Sequence, residues 1–317
     1  MDFTSTLDPE LALALEALPE GVFTVVGENP PMAREIIAQM TMAGIEAMPP
    51  TEVMIETRMI PGPDGDLKAV IYQPTDPAPR PALLWMHGGG HIVGIAEDHG
   101  YCVPFAEAVG CTIVSLDYPL APEFTYITSV KAAFAALNWM VEQSDELGID
   151  IERIAIGGAS AGGGLAAGLA LYNRDNNGPQ IAFQHLLYPM LDDTHDTPSG
   201  HAITHNKTWY RDLSLKAWQM YLGDEYGTDK VSPYAAPTRA TDLTDLPRAF
   251  ITVGASDLFR DEDINYAQCL MAAGVPTDLE VHDGMFHGGE NVAPMAGVSQ
   301  RIRNGYIDAL KRGLAKT

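Results

Sequence analysis

The sequence is short of positive charge. It carries 19 Lys and Arg against 42 Asp and Glu, a formal net charge of −23 over 317 residues. Phosphate backbones repel such a surface, which argues against nucleic acid as a partner and disfavours anionic membranes and highly anionic substrates. Cysteine is scarce: Cys102, Cys111 and Cys269 are odd in number, and no two stand at metal-ligand spacing. No disulfide framework or zinc site is therefore expected, and the thiols read as reduced ones in a cytoplasmic protein. No apolar run is long enough to span a bilayer. The opening MDFTSTLDPELALALEALPEG has no basic n-region, so no signal peptide is expected, and Asn206-Lys207-Thr208 is a chance match to a glycosylation acceptor. Repeats and low-complexity segments are absent, which excludes solenoids and arrays.

What remains is an ordinary globular composition, 46% hydrophobic and 19% charged, able to bury a sizeable core. LDPELALALEAL and PPMAREIIAQMTMAGIEAM carry apolar residues at helical spacing, and Pro49-Pro50 ends that region. Strand-like runs follow: TEVMIETRMI, LKAVIYQP, ALLWMH, CTIVSLDY, RIAIGG, AFQHLLYP, AFITVG and TDLEVHD. From CTIVSLDY onward they alternate with helical patterns, notably ITSVKAAFAALNWMVEQSDELG, AGGGLAAGLALYNR, INYAQCLMAAG and VSQRIRNGYIDALKRGL. The alternation predicts an α/β fold with a mostly parallel sheet and helices on both faces. Residues 191–240 break the rhythm and are too long for a simple loop. The organisation expected is an N-terminal cap segment (1–50), a first core part (51–190), a cap insertion (191–240) and a second core part (241–317). An insertion that only adds core is the plainer reading. A cap is preferred, because insertions between late strands emerge where such sheets bind ligands.

Two motifs carry chemistry. Gly158-Ala159-Ser160-Ala161-Gly162 follows a strand and opens a helix, the strand-to-helix turn that exposes a serine hydroxyl for attack on a carbonyl. Chance alone gives roughly 0.09 such matches in this composition. A small-residue helix packed on the sheet is the plain alternative, and the context favours a nucleophile. His87-Gly88-Gly89-Gly90 follows its own strand, and chance gives roughly 0.008 matches. Glycines can turn backbone amides inward toward a developing oxyanion. The expected donors are the amides of Gly89, Gly90 and Ala161, with Gly88 next, and His87 is read as holding the loop.

The base is sought among nine histidines. His185 lies in a strand pattern, and His195, His201 and His205 lie in the insertion. His282 belongs to the TDLEVHD strand, whereas His287 follows the Asp283-Gly284 turn and is free to reach Ser160. The acid preferred is Asp257, at the carboxyl end of AFITVG, where it would orient the imidazole. Asp261 and Asp263 fall in the next helix's first turn, where favourable interaction with the dipole accounts for them. Asp192-Asp193-Thr194-His195-Asp196 reads as a polar turn and not a metal site. Trp209 and Trp218 either line an acyl pocket or pack the insertion onto the body.

HGGG followed by a GxSAGG elbow resembles the bacterial hormone-sensitive-lipase-like esterases of the α/β-hydrolases. The likeness runs from about Thr51 to the C-terminus. It includes Asp117-Tyr118-Pro119-Leu120-Ala121-Pro122-Glu123, Asp257-Leu258-Phe259-Arg260-Asp261-Glu262, and His287-Gly288. The resemblance implies a cap, no cofactor, a small neutral ester of a short- to medium-chain acid as substrate, and Ser160, Asp257 and His287 as the triad. Several members form dimers, so a homodimer is compatible with it. Ala159, Phe259 and Gly289 depart from the family's usual wording and bear on substrate range and pH profile. An amidase or a lactonase would use the same residues. Plant gibberellin receptors keep the fold with the triad broken and bind a ligand without catalysis.

The acidic excess generates one expectation of its own. Salt screens self-repulsion, so if the charge reflects salty surroundings, ester turnover rises between dilute buffer and molar KCl. A rate that is unchanged or falls would end that reading.

Overall fold

Eight extended segments pair into one mixed sheet in the computed structural model, which describes residues 6–19, 22–204 and 206–316. They are β1 (Met54–Ile60), β2 (Leu67–Gln73), β3 (Arg80–Met86), β4 (Thr112–Leu116), β5 (Ile149–Ala159), β6 (Phe183–Leu187), β7 (Ala249–Gly254) and β8 (Thr277–His282). Their spatial order is β1-β2-β4-β3-β5-β6-β7-β8. β1 and β2 join antiparallel, and β2 joins β4 antiparallel; every later pairing is parallel. Strands buried on both faces need continuous apolar sequence. β3 (RPALLWM), β4 (TIVSL), β6 (FQHLL) and β7 (AFITVG) are buried along nearly their whole length. The outer strand β1 alternates and leaves Met54 and Met59 in solvent.

Helices cross between the parallel strands, as the connection rule for such pairs requires. His99–Val109 links β3 to β4, Tyr126–Glu142 links β4 to β5, Ala161–Asp175 links β5 to β6, and Arg260–Ala272 links β7 to β8. The first of these was not read from the sequence: it holds Pro104 in its interior, and Gly110 ends it in left-handed conformation. One core packs β-sheet residues against Tyr126–Glu142, Ala161–Asp175 and Arg260–Ala272. A second packs the opposite face against His99–Val109, the last helix Gly297–Gly313 and Pro9–Ala17.

Because β3 lies between β4 and β5, chain direction across the sheet reverses there. The crevice this opens lies at the carboxyl ends of β3 and β5, the usual ligand position in open α/β sheets. A third apolar cluster stands over it. There Val26 and Ala33 of the N-terminal helices Val22–Glu28 and Pro30–Glu46 meet Trp209, Leu213, Trp218 and Tyr221. The last three belong to helix Arg211–Leu222, inside the stretch the sequence left irregular. Among the described residues, no helix is long and apolar enough to cross a membrane.

His185, on β6, is fully buried among Phe105, Phe183 and Phe250, and neither ring nitrogen has a partner. Burial lowers its pKa to about 3. A histidine depressed in the folded state stabilises above its unfolded pKa, near 6.5, and that stability is lost as pH falls toward 3. His185→Phe is therefore expected to lose about 2–3 kcal/mol less than the parent between pH 7.5 and 4.5 in urea unfolding. Parallel losses in the two proteins would mean that His185 is not the acid-sensitive group.

Candidate active site

Ser160 stands between β5 and the helix Ala161–Asp175 with φ 57° and ψ −121°, a conformation that side chains avoid. Its surroundings hold it there. Its amide donates to the Leu187 carbonyl at 2.8 Å, and its own carbonyl accepts from Gly164 and Met190, each at 3.0 Å. The glycines on either side are needed for close approach. A Cβ on Gly162 would lie 2.0 Å from the Met86 carbonyl oxygen, and one on Gly158 would lie 2.5 Å from the same atom. The end of β3 thus touches the turn, which brings the glycine loop beside the serine. The turn leaves Ser160 only 6% exposed.

His287 Nε2 lies 3.0 Å from Ser160 Oγ, and His287 Nδ1 lies 2.8 Å from Asp257 Oδ2. Both partners come from loops that follow the strands β7 and β8. Asp257 is buried, and its other oxygen accepts from the Phe259 amide at 2.9 Å, which leaves Oδ2 for the imidazole. Phe259 and Tyr188 both stand edge-on to the His287 ring, with centroids 4.9 Å away. These two rings limit the imidazole to the plane that joins acid and serine. In that arrangement the serine hydroxyl donates to Nε2 and Nδ1–H donates to the carboxylate, the geometry of an activated nucleophile.

The glycine loop follows β3. Ile92 and Val93 donate to the Gly89 carbonyl, and Gly89 takes φ 114°. A Cβ there would meet the Val93 carbonyl oxygen at 2.1 Å. Among the described residues, the amides of Gly88, Gly89, Gly90 and Ala161 have no backbone acceptor. Gly88 and Gly89 line the cavity that holds Ser160 and His287, whereas Gly90 is buried under the indole of Trp209. The geometry therefore moves the weight among the loop donors toward Gly88 and Gly89. His87 holds the loop, stacked on Tyr118 with Nδ1 2.7 Å from the Gly88 carbonyl oxygen.

The cavity measures about 510 Å³, within the range of small-molecule sites. Its walls are largely apolar: Leu18, Phe23, Val26, Ile37, Met40 and Trp209 come from the N-terminal helices and the 191–240 stretch. Asp98 is on the wall too, taking the Trp85 indole N–H at 2.8 Å, and burial raises its pKa to about 6.

The other residues singled out from the sequence are accounted for elsewhere. Asp193 pairs with Arg239, Asp192 with Thr194, and His201 with Asp196. Among the described residues, no group of three or more His, Cys, Asp or Glu could hold a metal ion. His282 bonds Thr252 at the end of β8. Trp218 packs in the third cluster, and His205 lies outside the described residues. Asp261 accepts from the Ser199 amide at 2.7 Å, tying the helix to the insertion. Asp263 differs from its sequence reading. It is fully buried with both oxygens unpartnered, and burial beside Glu262 and Asp257 raises its pKa well above the carboxylate range. Glu262 is raised for the same first reason, burial, and accepts from the amides of Leu191 and Asp192. Sequence reasoning passed over Glu262, Tyr101, Tyr188 and Glu290, whose contacts join segments far apart in the chain and leave no local pattern.

Comparison with known proteins gives consistent results. A family model described as the alpha/beta hydrolase fold matches residues 83–290. Carboxylic ester hydrolase LipN of Mycobacterium tuberculosis is 35% identical over 326 residues, covering 98% of this chain and 84% of its own. Carboxylesterase NlhH of the same species is 35% identical, covering 97% and 96%. The solved structure of a bacterial heroin esterase superposes with a TM-score of 0.93 at 39% identity, covering 99% of each chain.

Gly89→Ala tests the loop. The strained φ and the clash with Val93 should displace the amides and lower kcat on an activated ester by about 10²-fold or more. Gly44→Ala, where a Cβ meets nothing within 4 Å, should leave the rate unchanged. A Gly89→Ala rate within threefold of the parent would remove this loop from the chemistry.

Proposed function

The chain belongs to the α/β-hydrolase fold family, among the hormone-sensitive-lipase-like esterases, and is a serine carboxylic-ester hydrolase; on that premise we propose that it cleaves small neutral esters of short- to medium-chain acids through an acyl-enzyme on Ser160. The observation that carries this reading is the continuous relay Ser160 Oγ, His287, Asp257, with spacings of 3.0 and 2.8 Å, opening into a largely apolar cavity.

In the proposed cycle His287 Nε2 takes the Ser160 proton as Oγ attacks the ester carbonyl. Asp257 holds the Nδ1 tautomer and offsets the imidazolium charge. The carbonyl oxygen becomes an oxyanion, met by amides of the Gly88–Gly90 loop and by that of Ala161 at the N-terminus of the elbow helix, where the helix dipole also favours negative charge. His287 then protonates the departing alcohol. Water, deprotonated by the same imidazole, releases the acid and restores Ser160. Because the elbow and loop are preset by backbone contacts, little rearrangement accompanies the charge change.

The helices spanning 9–46 and the 191–240 stretch are proposed as a two-part cap that sets acyl length. Support comes from their residues on the cavity wall and from the third apolar cluster they share. A cytoplasmic place of action is part of the reading, supported by the three free thiols Cys102, Cys111 and Cys269.

The test is a p-nitrophenyl ester series from acetate to dodecanoate, with matched amide and lactone substrates. Activity should peak at the short to medium chains. Ser160→Ala should lower turnover by about 10⁴-fold or more, and Asp257→Asn severely but less. Faster cleavage of the amide or the lactone would move the substrate class, and near-normal rates in either variant would overturn that residue's assignment.

A further inference from the structure

Three residues beyond His287, in the single turn Gly289–Val292, Glu290 is 1% exposed. Its Oε1 accepts from the Tyr188 hydroxyl at 2.7 Å and from the Tyr101 hydroxyl at 2.9 Å. The two phenols also touch each other, and Asn291 donates to Tyr101. A carboxyl buried away from water is costly unless its lone pairs are met, and here two separate segments meet them. Tyr101 lies on the helix His99–Val109. Tyr188 follows β6, and its amide donates to the Thr252 carbonyl on β7. Tyr188 takes φ 37°, a left-handed backbone that a bulky residue keeps only when its surroundings over-determine it. The last helix adds a further tie, with Arg303 donating to the Glu290 carbonyl at 3.2 Å and to the Asn291 side chain at 3.0 Å.

The Tyr188 ring whose hydroxyl this bond holds also packs against the imidazole. Its ring stands edge-on to His287 at 4.9 Å. The loop carrying His287 is thus held at one end by Asp257 and at the other by Glu290, and the ring between them is braced by a tyrosine that Glu290 holds. We propose that Glu290 is a positioning residue for His287, acting through its two phenol hydrogen bonds. The inference rests on the reading of His287 as the base. It differs from a general packing role in what it affects: the alignment of Nε2 with Ser160 Oγ, and so the chemical step, in preference to substrate affinity. Misplacement of a catalytic group by about 1 Å is enough to cost about 10²-fold.

The experiment measures kcat and KM for p-nitrophenyl ester hydrolysis per competent site, with sites counted by complete labelling with an organophosphate. Glu290→Ala is expected to lower kcat per site by about 10- to 100-fold with KM within threefold. Glu290→Gln, which keeps an acceptor oxygen, should recover to within about fivefold of the parent. Unchanged kcat per site in Glu290→Ala, a change confined to KM, or a Gln variant as slow as the Ala variant would each overturn the proposal. Should Glu290→Ala fail to fold, Tyr101→Phe, which removes one donor, carries the test: a loss of about three- to tenfold in kcat per site supports it, and no loss overturns it. Parent enzyme that neither hydrolyses the ester nor takes up the phosphonate would instead remove the reading of Ser160 and His287, independently of Glu290.

Discussion

The contact between the end of β3 and the turn after β5 governs the rest of the molecule. At Gly158 and Gly162 the backbone of the serine turn runs against the carbonyl oxygen of Met86, with no room for a side chain. Ser160 is forced to φ 57° by that approach and by bonds to Leu187, Gly164 and Met190. Strain of this kind costs of order 1–3 kcal/mol and persists only in a rigid frame. The frame is the parallel sheet, whose central strands are buried on both faces. The serine, the glycine loop and the acid are all placed by strand ends of that one sheet.

The residues at those strand ends were legible in the sequence because their constraints are local. A glycine two places either side of a serine, or three glycines after an apolar strand, leave a short pattern whose physical reason can be stated from the backbone alone. The inner strands β2, β3, β4, β6 and β7 were readable for a similar reason, since strands buried on both faces must be continuously apolar. The helix His99–Val109 was missed because it holds a proline and presents no clean amphipathic period. The helix Arg211–Leu222 was read as irregular because its polar residues dilute the pattern, although Leu213, Ala217, Trp218 and Tyr221 are all buried.

Less legible still were the groups whose meaning comes from burial. Asp263 looks like a first-turn acidic residue, and by sequence position it is one. Only the fold shows that its carboxyl is buried with no donor, while Asp257, six positions earlier, accepts from a histidine. Glu262 and Glu290 are likewise buried, which their sequence positions do not reveal. In a chain of net charge −23, Glu262, Asp263 and Glu290 are withdrawn from solvent near the site, and each is met differently: by backbone amides, by nothing, and by phenols.

Trp209 has its ring tips against Gly90, so close that a methyl group there would overlap the indole. The same side chain comes from the stretch between β6 and β7, stands edge-on to Phe23, and lines the cavity. The segment proposed as part of the cap therefore rests directly on the loop proposed to bind the oxyanion. The two are mechanically one part. Replacing that stretch to change selectivity would therefore also shift the glycine loop on which Trp209 rests.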